Sequence, residues 1–206
     1  PNVMVIKQAL AAIGQCELMN LYSKMFSTYN QIVAQLLLTK NDVDDPIRRK
    51  NIENTFEHLL NQRVLPIVNE NDTVSTYEIS SLEQFGDNDT LSAVVAILVK
   101  ADLLIILSDI DGFYNGNPKE CSDYVLIDTV TKITDKERLF AGGQGSAMGT
   151  GGMVTKLNAA DMVTKSGIHM VLANGKDPLV ILDILKGENI GTLFVGKEKS
   201  SCCIDK

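Results

Sequence analysis

The chain has 206 residues, 45% of them hydrophobic and 22% charged, with a formal net charge of −7. That length allows one large domain with a true core, and the composition is an ordinary globular one. The acidic balance, with no Lys/Arg stripe to offset it, argues against a nucleic-acid binder. No apolar run spans a membrane, since the longest, residues 91–107, is broken by Lys100 and Asp102.

In chain order, residues 3–29 predict a long helix: Val5, Ala9, Ala12, Leu18, Leu21, Tyr22 and Met25 recur at helical spacing, with Gly14 as a weak point. Residues 32–39 are a short apolar run and predict a buried strand. Residues 41–45 are polar, and Asp45-Pro46 marks a helix start with proline at the first position. Ile52, Phe56, Leu59 and Leu60 give that helix its apolar face, and Arg48, Arg49 and Lys50 read as a solvated face rather than a binding patch. Residues 64–68 predict a strand, with Pro66 pointing to an edge or early position. A loop without periodicity covers 73–85. Gly86-Asp87-Asn88-Asp89 then opens a helix carrying Leu91, Val94, Val95 and Leu98. Residues 103–107 are the clearest strand and end in the polar turn Ser108-Asp109-Ile110-Asp111-Gly112. Residues 129–140 are a weak helix candidate. The glycine-rich stretch follows, then a helix ending near Gly167, a strand at 170–173, an Asn174-Gly175 turn, a helix at 178–186 and a last strand at 192–195.

Strands and helices alternate with short connections, which predicts a parallel α/β sheet covered on both faces, with ligands beyond the carboxyl ends of the strands. Polar clusters sit at those ends. The most marked is residues 142–156, GGQGSAMGTGGMVTK, which holds six of the chain's 15 glycines and runs into a helix. Glycines permit close backbone approach, and a helix N-terminus offers N–H groups and positive potential to an anion. Thr150 is the expected cap, and Lys156 a point charge for a phosphoryl group. A plain loop before a surface helix is the competing reading. The stretch is neither a Walker A loop nor a dinucleotide fingerprint, because Gly-Lys-Ser/Thr and the third spaced glycine are both absent.

Four clusters, 69–72, 87–89, 108–111 and 150–156, are expected on one rim, acidic at one end and anion-binding at the other. That combination suits a nucleotide phosphate meeting an amine-bearing substrate. The carboxylates could alternatively bind Mg²⁺. Singly, Asp89 could be the cap of the Leu91 helix and Asp109 a turn residue. Cys16, Cys121, Cys202 and Cys203 show no C-x-x-C spacing, and only His58 and His169 could join them. A zinc site or disulfide framework is therefore not expected, and a reducing cytosol is the simpler setting. No signal peptide is expected from these residues, and Cys202-Cys203 reads as an inert tail.

The segments VLPIVNENDTV, FGDNDTLSAVVAILVKADLLIILSDIDGFYNGNP and GTGGMVTKLNAADMV, with KQALAAIGQ near the start and IGTLF near the end, resemble the amino acid kinase family, in particular its glutamate-phosphorylating members. The resemblance implies a three-layer αβα sandwich around a mostly parallel sheet. It implies a cytoplasmic enzyme that uses ATP and Mg²⁺ to phosphorylate the side-chain carboxylate of L-glutamate, the first step of proline synthesis. It also implies feedback inhibition by proline and a homo-oligomer, dimer or tetramer. Asp72 and Asn88 match glutamate-binding positions, and Asn69 and Asp89 lie in the same motifs. Ser108 and Asp109 match the pair that contacts the nucleotide. Thr150, Gly151, Gly152, Met153, Val154, Thr155 and Lys156 match the loop around the ATP phosphates. Lys156 also matches the lysine that stabilises the transferring phosphoryl group, and Asp87 the acidic residue that orients the family's lysines.

Two family features are not in this sequence: an opening strand and glycine loop of the form V-K-x-G-S with a further catalytic lysine, and a later Ser-Gly-Ala segment. Residues 1–206 are accordingly expected to be a partial amino acid kinase domain lacking the N-terminal part, without a PUA domain. The alternatives are a kinase of the same fold acting on acetylglutamate or aspartate, and a non-catalytic amino-acid sensor. Asp72, Asn88 and Asp89 discriminate, since a free ammonium wants such an acidic pocket and an N-acetyl group does not, and a dehydrogenase is disfavoured by the absent G-x-G-x-x-G.

Overall fold

The computed structural model describes residues 3–74, 87–116, 124–141 and 152–197. The chain divides into two compact units, Pro1–Leu91 and Ser92–Lys206.

The first unit opens with α1 (Val3–Ser27), continues through β1 (Val33–Leu38), α2 (Lys40–Asp44) and α3 (Pro46–Asn61), and reaches β2 (Leu65–Glu70). β1 and β2 pair in parallel, Val33 opposite Leu65, so α2 and α3 form the crossover that parallel strands require. α3 starts where Asp45-Pro46 predicts: the Asp45 carboxylate accepts from the N–H groups of Ile47 and Arg48 at 2.9 and 2.8 Å. Phe56 is the buried residue of its apolar face. Arg48, Arg49 and Lys50 are exposed and paired with Asp42 and Glu53, as a solvated face should be. The polar stretch at 41–45 is a further short helix, α2, with a capping box in which Thr39 and Asp42 satisfy each other's backbone N–H. α1 has no buried residue, and Val5, Leu10, Ile13, Leu21 and Met25 are exposed.

Of the second unit, α4 (Asn88–Leu98) enters across the division at Leu91. Then come β3 (Leu103–Ser108), β4 (Thr129–Val130), α5 (Asp135–Phe140), α6 (Met153–Lys165), β5 (His169–Asn174), α7 (Val180–Leu185) and β6 (Thr192–Phe194). The sheet order is β3-β5-β6-β4. β3 pairs with β5 in parallel and β4 with β6 in parallel, whereas β5 and β6 are antiparallel, so this sheet is mixed. β5 alternates between two cores. Met170 and Leu172 face Ala93 and Ala96 of α4 and Leu157, Ala160 and Val163 of α6. Val171 and Ala173 face Ile184 of α7. This unit therefore has helices on both faces of its sheet.

Two expectations are corrected here. Residues 129–140 are not one helix, because the β-branched pair Thr129-Val130 joins the sheet and the helix begins only at Asp135, behind a Thr134–Glu137 capping box. β6 runs antiparallel to β5 rather than parallel, and Gly191, at φ +70, lets the chain approach β5 closely there; a Cβ would lie 2.1 Å from the Leu172 carbonyl oxygen. The expected loop at 73–85 lies almost wholly outside the described residues. No helix among the described residues is long and apolar enough to cross a membrane.

Candidate functional site

The anion-binding candidates in the second unit centre on the start of α6. The helix begins at Met153, so Met153, Val154, Thr155 and Lys156 form its first turn. Its cap position belongs to Gly152, not to the expected Thr150, and no side chain caps it. Gly152 sits at φ 94, ψ −94, a left-handed conformation that a side chain would strain. The Thr155 hydroxyl donates to the Gly152 carbonyl at 2.9 Å and the Lys156 N–H to the same carbonyl at 3.4 Å, which closes the turn. Leu157, Ala159, Ala160 and Val163 are buried one turn on and root the helix in the core. Lys156 is half-buried at the turn that begins the helix. Thr150 and Gly151 lie outside the described residues.

Ser108 and Asp109 lie at the carboxyl end of β3, as predicted, and the Ser108 hydroxyl donates to Asp109 Oδ1 at 3.1 Å. Sequence reasoning missed the parts that hold this end in place. Ser108 pairs in register with Asn174 of β5. The Gly175 N–H donates to the Ser108 carbonyl at 2.7 Å, and Asn174 Nδ2 donates to Asp111 Oδ1 at 2.7 Å. The Tyr114 hydroxyl donates to Asp111 Oδ2 at 3.3 Å. Burial, then the charge of Asp111 and its hydrogen bond, raise the Tyr114 phenol above its ordinary pKa. Both ends of this clip, Ser108–Gly112 and Asn174-Gly175, stand out in the sequence as polar turns after strands. Only the adjacency of β3 and β5, separated by some sixty residues, was beyond its reach.

The first unit and the start of α4 carry the other candidates. Asn69 stands near the end of β2, where its Nδ2 donates to Gln15 Oε1 of α1 at 3.2 Å and its Oδ1 accepts from the Glu70 N–H at 3.0 Å. The Asn71 N–H donates to the Leu38 carbonyl at 2.9 Å, so the segment carrying the exposed Asp72 is tied to the end of β1. Asp87 caps α4: Oδ1 accepts from the Thr90 N–H at 2.7 Å and Oδ2 from the Thr90 hydroxyl at 3.1 Å. The cap is therefore Asp87, and Asp89, which could have been it, sits in the first turn beside Asn88. Each cluster is built locally, 69–72 against α1 and β1 and 87–89 on its own helix turn.

A cavity of about 420 Å³ in the second unit lies at the amino ends of β3 and β5, between Lys100, Asp102 and His169. Ligands of parallel sheets gather at the other end, where Ser108 and Asn174 are. Among the described residues no group of three or more His, Cys, Asp or Glu side chains could hold a metal ion.

Residues 2–174 match the amino acid kinase family. Over 199 residues the chain is 51% identical to a glutamate 5-kinase of Listeria monocytogenes, covering 97% of this chain and 72% of that one. It is 52% identical over 198 residues to a glutamate 5-kinase of Clostridium perfringens, covering 96% and 74%. Among solved structures it resembles the T. acidophilum isopentenyl phosphate kinase product complex, with a TM-score of 0.57 and 19% identity over 88% of this chain and 66% of that one. A likeness at that identity speaks to the fold alone.

Proposed function

This chain belongs to the amino acid kinase family, and we propose the following mechanism for it. It phosphorylates L-glutamate with ATP, transferring the γ-phosphoryl group to the side-chain carboxylate as the first step of proline biosynthesis. The single observation that carries this function is identity of about half over nearly the whole chain with glutamate 5-kinases of separate genera. We read residues 1–206 as part of one amino acid kinase domain.

Phosphoryl transfer asks the protein for alignment and charge compensation more than for covalent chemistry. The start of α6 suits that task. Gly151 and Gly152 let backbone approach the phosphates, and the N–H groups of Met153 and Val154 point out of the helix with its dipole behind them. Thr150 and Thr155 supply hydroxyls. Lys156 neutralises charge on the γ-phosphoryl group as it leaves ADP. Ser108 and Asp109, held by the β3–β5 clip, contact the nucleotide. Mg²⁺ suits oxygen donors and is commonly carried by substrate phosphates with one or two carboxylates, one of which Asp109 in the proposed nucleotide stretch could supply. When bound it would screen the phosphate charge, and Asp109 would be a carboxylate able to hold it. Asp72, Asn88, Asn69 and Asp89 form the glutamate-binding set, in which carboxylates suit the ammonium group and amides the carboxylates. Proline as feedback inhibitor and a homo-oligomeric state complete the proposal.

Asp87 has two duties to separate, capping α4 and orienting lysine charge. Asn is as good a cap as Asp, so Asp87→Asn keeps the helix start and removes the charge. Thermal stability should stay unchanged while kcat falls at least about tenfold. Full activity in this variant would leave Asp87 a helix cap and nothing more.

The proposal as a whole is tested by trapping the acyl phosphate with hydroxylamine, using protein from the complete reading frame and offering glutamate, acetylglutamate and aspartate in turn. Hydroxamate from glutamate alone is the expected result. Product from acetylglutamate in preference would move the chain to another branch of the family. No product from any acceptor would overturn catalysis and favour an amino-acid sensor.

A further inference from the structure

α5 stands immediately before residues 142–151 and α6 immediately after, and the two helices are joined by a polar tie. Arg138 Nη2 donates to Asp161 Oδ2 at 2.9 Å, and Nη1 reaches Asn158 Oδ1 at 3.5 Å. Asn158 and Asp161 are one turn apart on α6, so the planar guanidinium spans a full turn and fixes direction as well as distance. Lys165, four residues on along α6, donates to the same Asp161 oxygen at 2.7 Å. Two further features pin α5. Its start is closed by the Thr134–Glu137 capping box, and at its end the Phe140 ring meets Phe113 at 6.5 Å between centroids. The aromatic contact sets how closely α5 lies on the core. The Arg138 fork adds a directional polar tie between α5 and α6 to this apolar packing.

We infer that Arg138 and Asp161 are a positioning pair for phosphoryl transfer, holding α5 against α6 so that the first turn of α6, with Lys156, is presented in register to the nucleotide. The inference rests on the reading of residues 150–156 as the phosphate-binding stretch. Stability alone is a poor reason for the tie. The Arg138 side chain is 44% exposed and Asp161 19%, and such pairs contribute little to folding. Removing Arg138 also strands no charge, because Asp161 keeps Lys165. Placement, by contrast, is sensitive: a shift of about 1 Å in a group aligned with the reacting atoms can cost about a hundredfold in rate. A weak bond at the foot of a glycine-rich connection can therefore matter more to catalysis than to folding.

The test compares Arg138→Ala, Arg138→Lys and Lys165→Ala in protein from the complete reading frame. It measures KM for ATP, KM for glutamate, kcat and thermal midpoint, with calorimetric ATP binding alongside. Arg138→Ala should raise KM for ATP roughly three- to tenfold, with KM for glutamate unmoved and the midpoint nearly unchanged. Arg138→Lys, a point charge without the fork, should fall between. Lys165→Ala removes Asp161's other partner without touching α5 and should leave KM for ATP as it was. An unchanged KM for ATP in Arg138→Ala overturns the inference. So do equal rises in both KM values with a lowered midpoint, which mark a merely structural contact, and so does an equal effect from Lys165→Ala. If the parent protein binds ATP but makes no glutamyl product, the functional proposal fails alone, and ATP affinity in Arg138→Ala decides the pair. If it does not bind ATP, both fail.

Discussion

Lys156→Ala is expected to lower kcat by about 10²- to 10³-fold, with much smaller changes in KM for glutamate and in thermal midpoint. The size follows from what the side chain does on the proposed mechanism. Charge on the γ-phosphoryl oxygens develops as the bond to ADP lengthens, and a fixed cation at the head of α6 meets that charge without reorganising. Its anchor is firm, since Leu157 beside it is 2% exposed and Ala159, Ala160 and Val163 are fully buried. Alanine is the better helix former, so the first turn should survive the substitution. Lys156→Arg, which keeps the charge but replaces a compact ammonium by a wide fork, should recover only part of the loss. The hydroxamate rate at saturating ATP, measured beside a melting curve, checks all three outcomes. A Lys156→Ala enzyme within threefold of its parent would take Lys156 out of the mechanism.

How much of this was legible beforehand depends on whether the signal was local. The helix start at Asp45-Pro46, the strand over the run 103–107 and the helix that follows the glycine-rich stretch are decided by neighbouring residues, and each of these three elements stands where the sequence places it. The failures are also local, but in them two signals compete. Gly86-Asp87-Asn88-Asp89 offers three capping side chains in a row, and only geometry shows that Asp87 takes the Thr90 N–H. Residues 129–140 mix β-branched residues with a Thr134-x-x-Glu137 box, and the box, once noticed, dates the helix start correctly. α1 shows the limit of periodicity: its apolar residues recur at helical spacing, yet none of them is buried. Nothing local reveals that Asn174 meets Asp111, or Arg138 meets Asp161, because those contacts follow from strand order and helix packing. The glutamate-side candidates Asn69 and Asp72 lie in the first unit, Asp87, Asn88 and Asp89 at its end, and the nucleotide-side candidates in the second. The candidate residues thus stand out as motifs in the sequence, whereas the bonds that brace them do not.

Thr192→Val should be among the most destabilising single changes in the second unit, by about 2–5 kcal/mol, although it alters one atom. Thr192 is fully buried in β6. Its hydroxyl accepts from the Phe113 N–H at 2.8 Å and donates to the Ile127 carbonyl at 2.6 Å. It therefore joins three stretches: β6, the chain leaving the turn after β3, and the chain entering β4. Valine fills the same volume and keeps the β-branched preference for a strand, so the loss isolates the hydroxyl. A buried donor and a part-buried acceptor are orphaned together, at about 1–3 kcal/mol for a fully buried group. Denaturant unfolding should show a lower midpoint with an unchanged slope. Thr192→Ser, which loses a methyl group but keeps both bonds, should cost less than valine does; the reverse order would assign the site to packing instead. The functional consequence follows the same bonds. Phe113 ends the turn that begins at Ser108 and Asp109, so the valine variant, where still folded, should lose affinity for ATP before it loses affinity for glutamate.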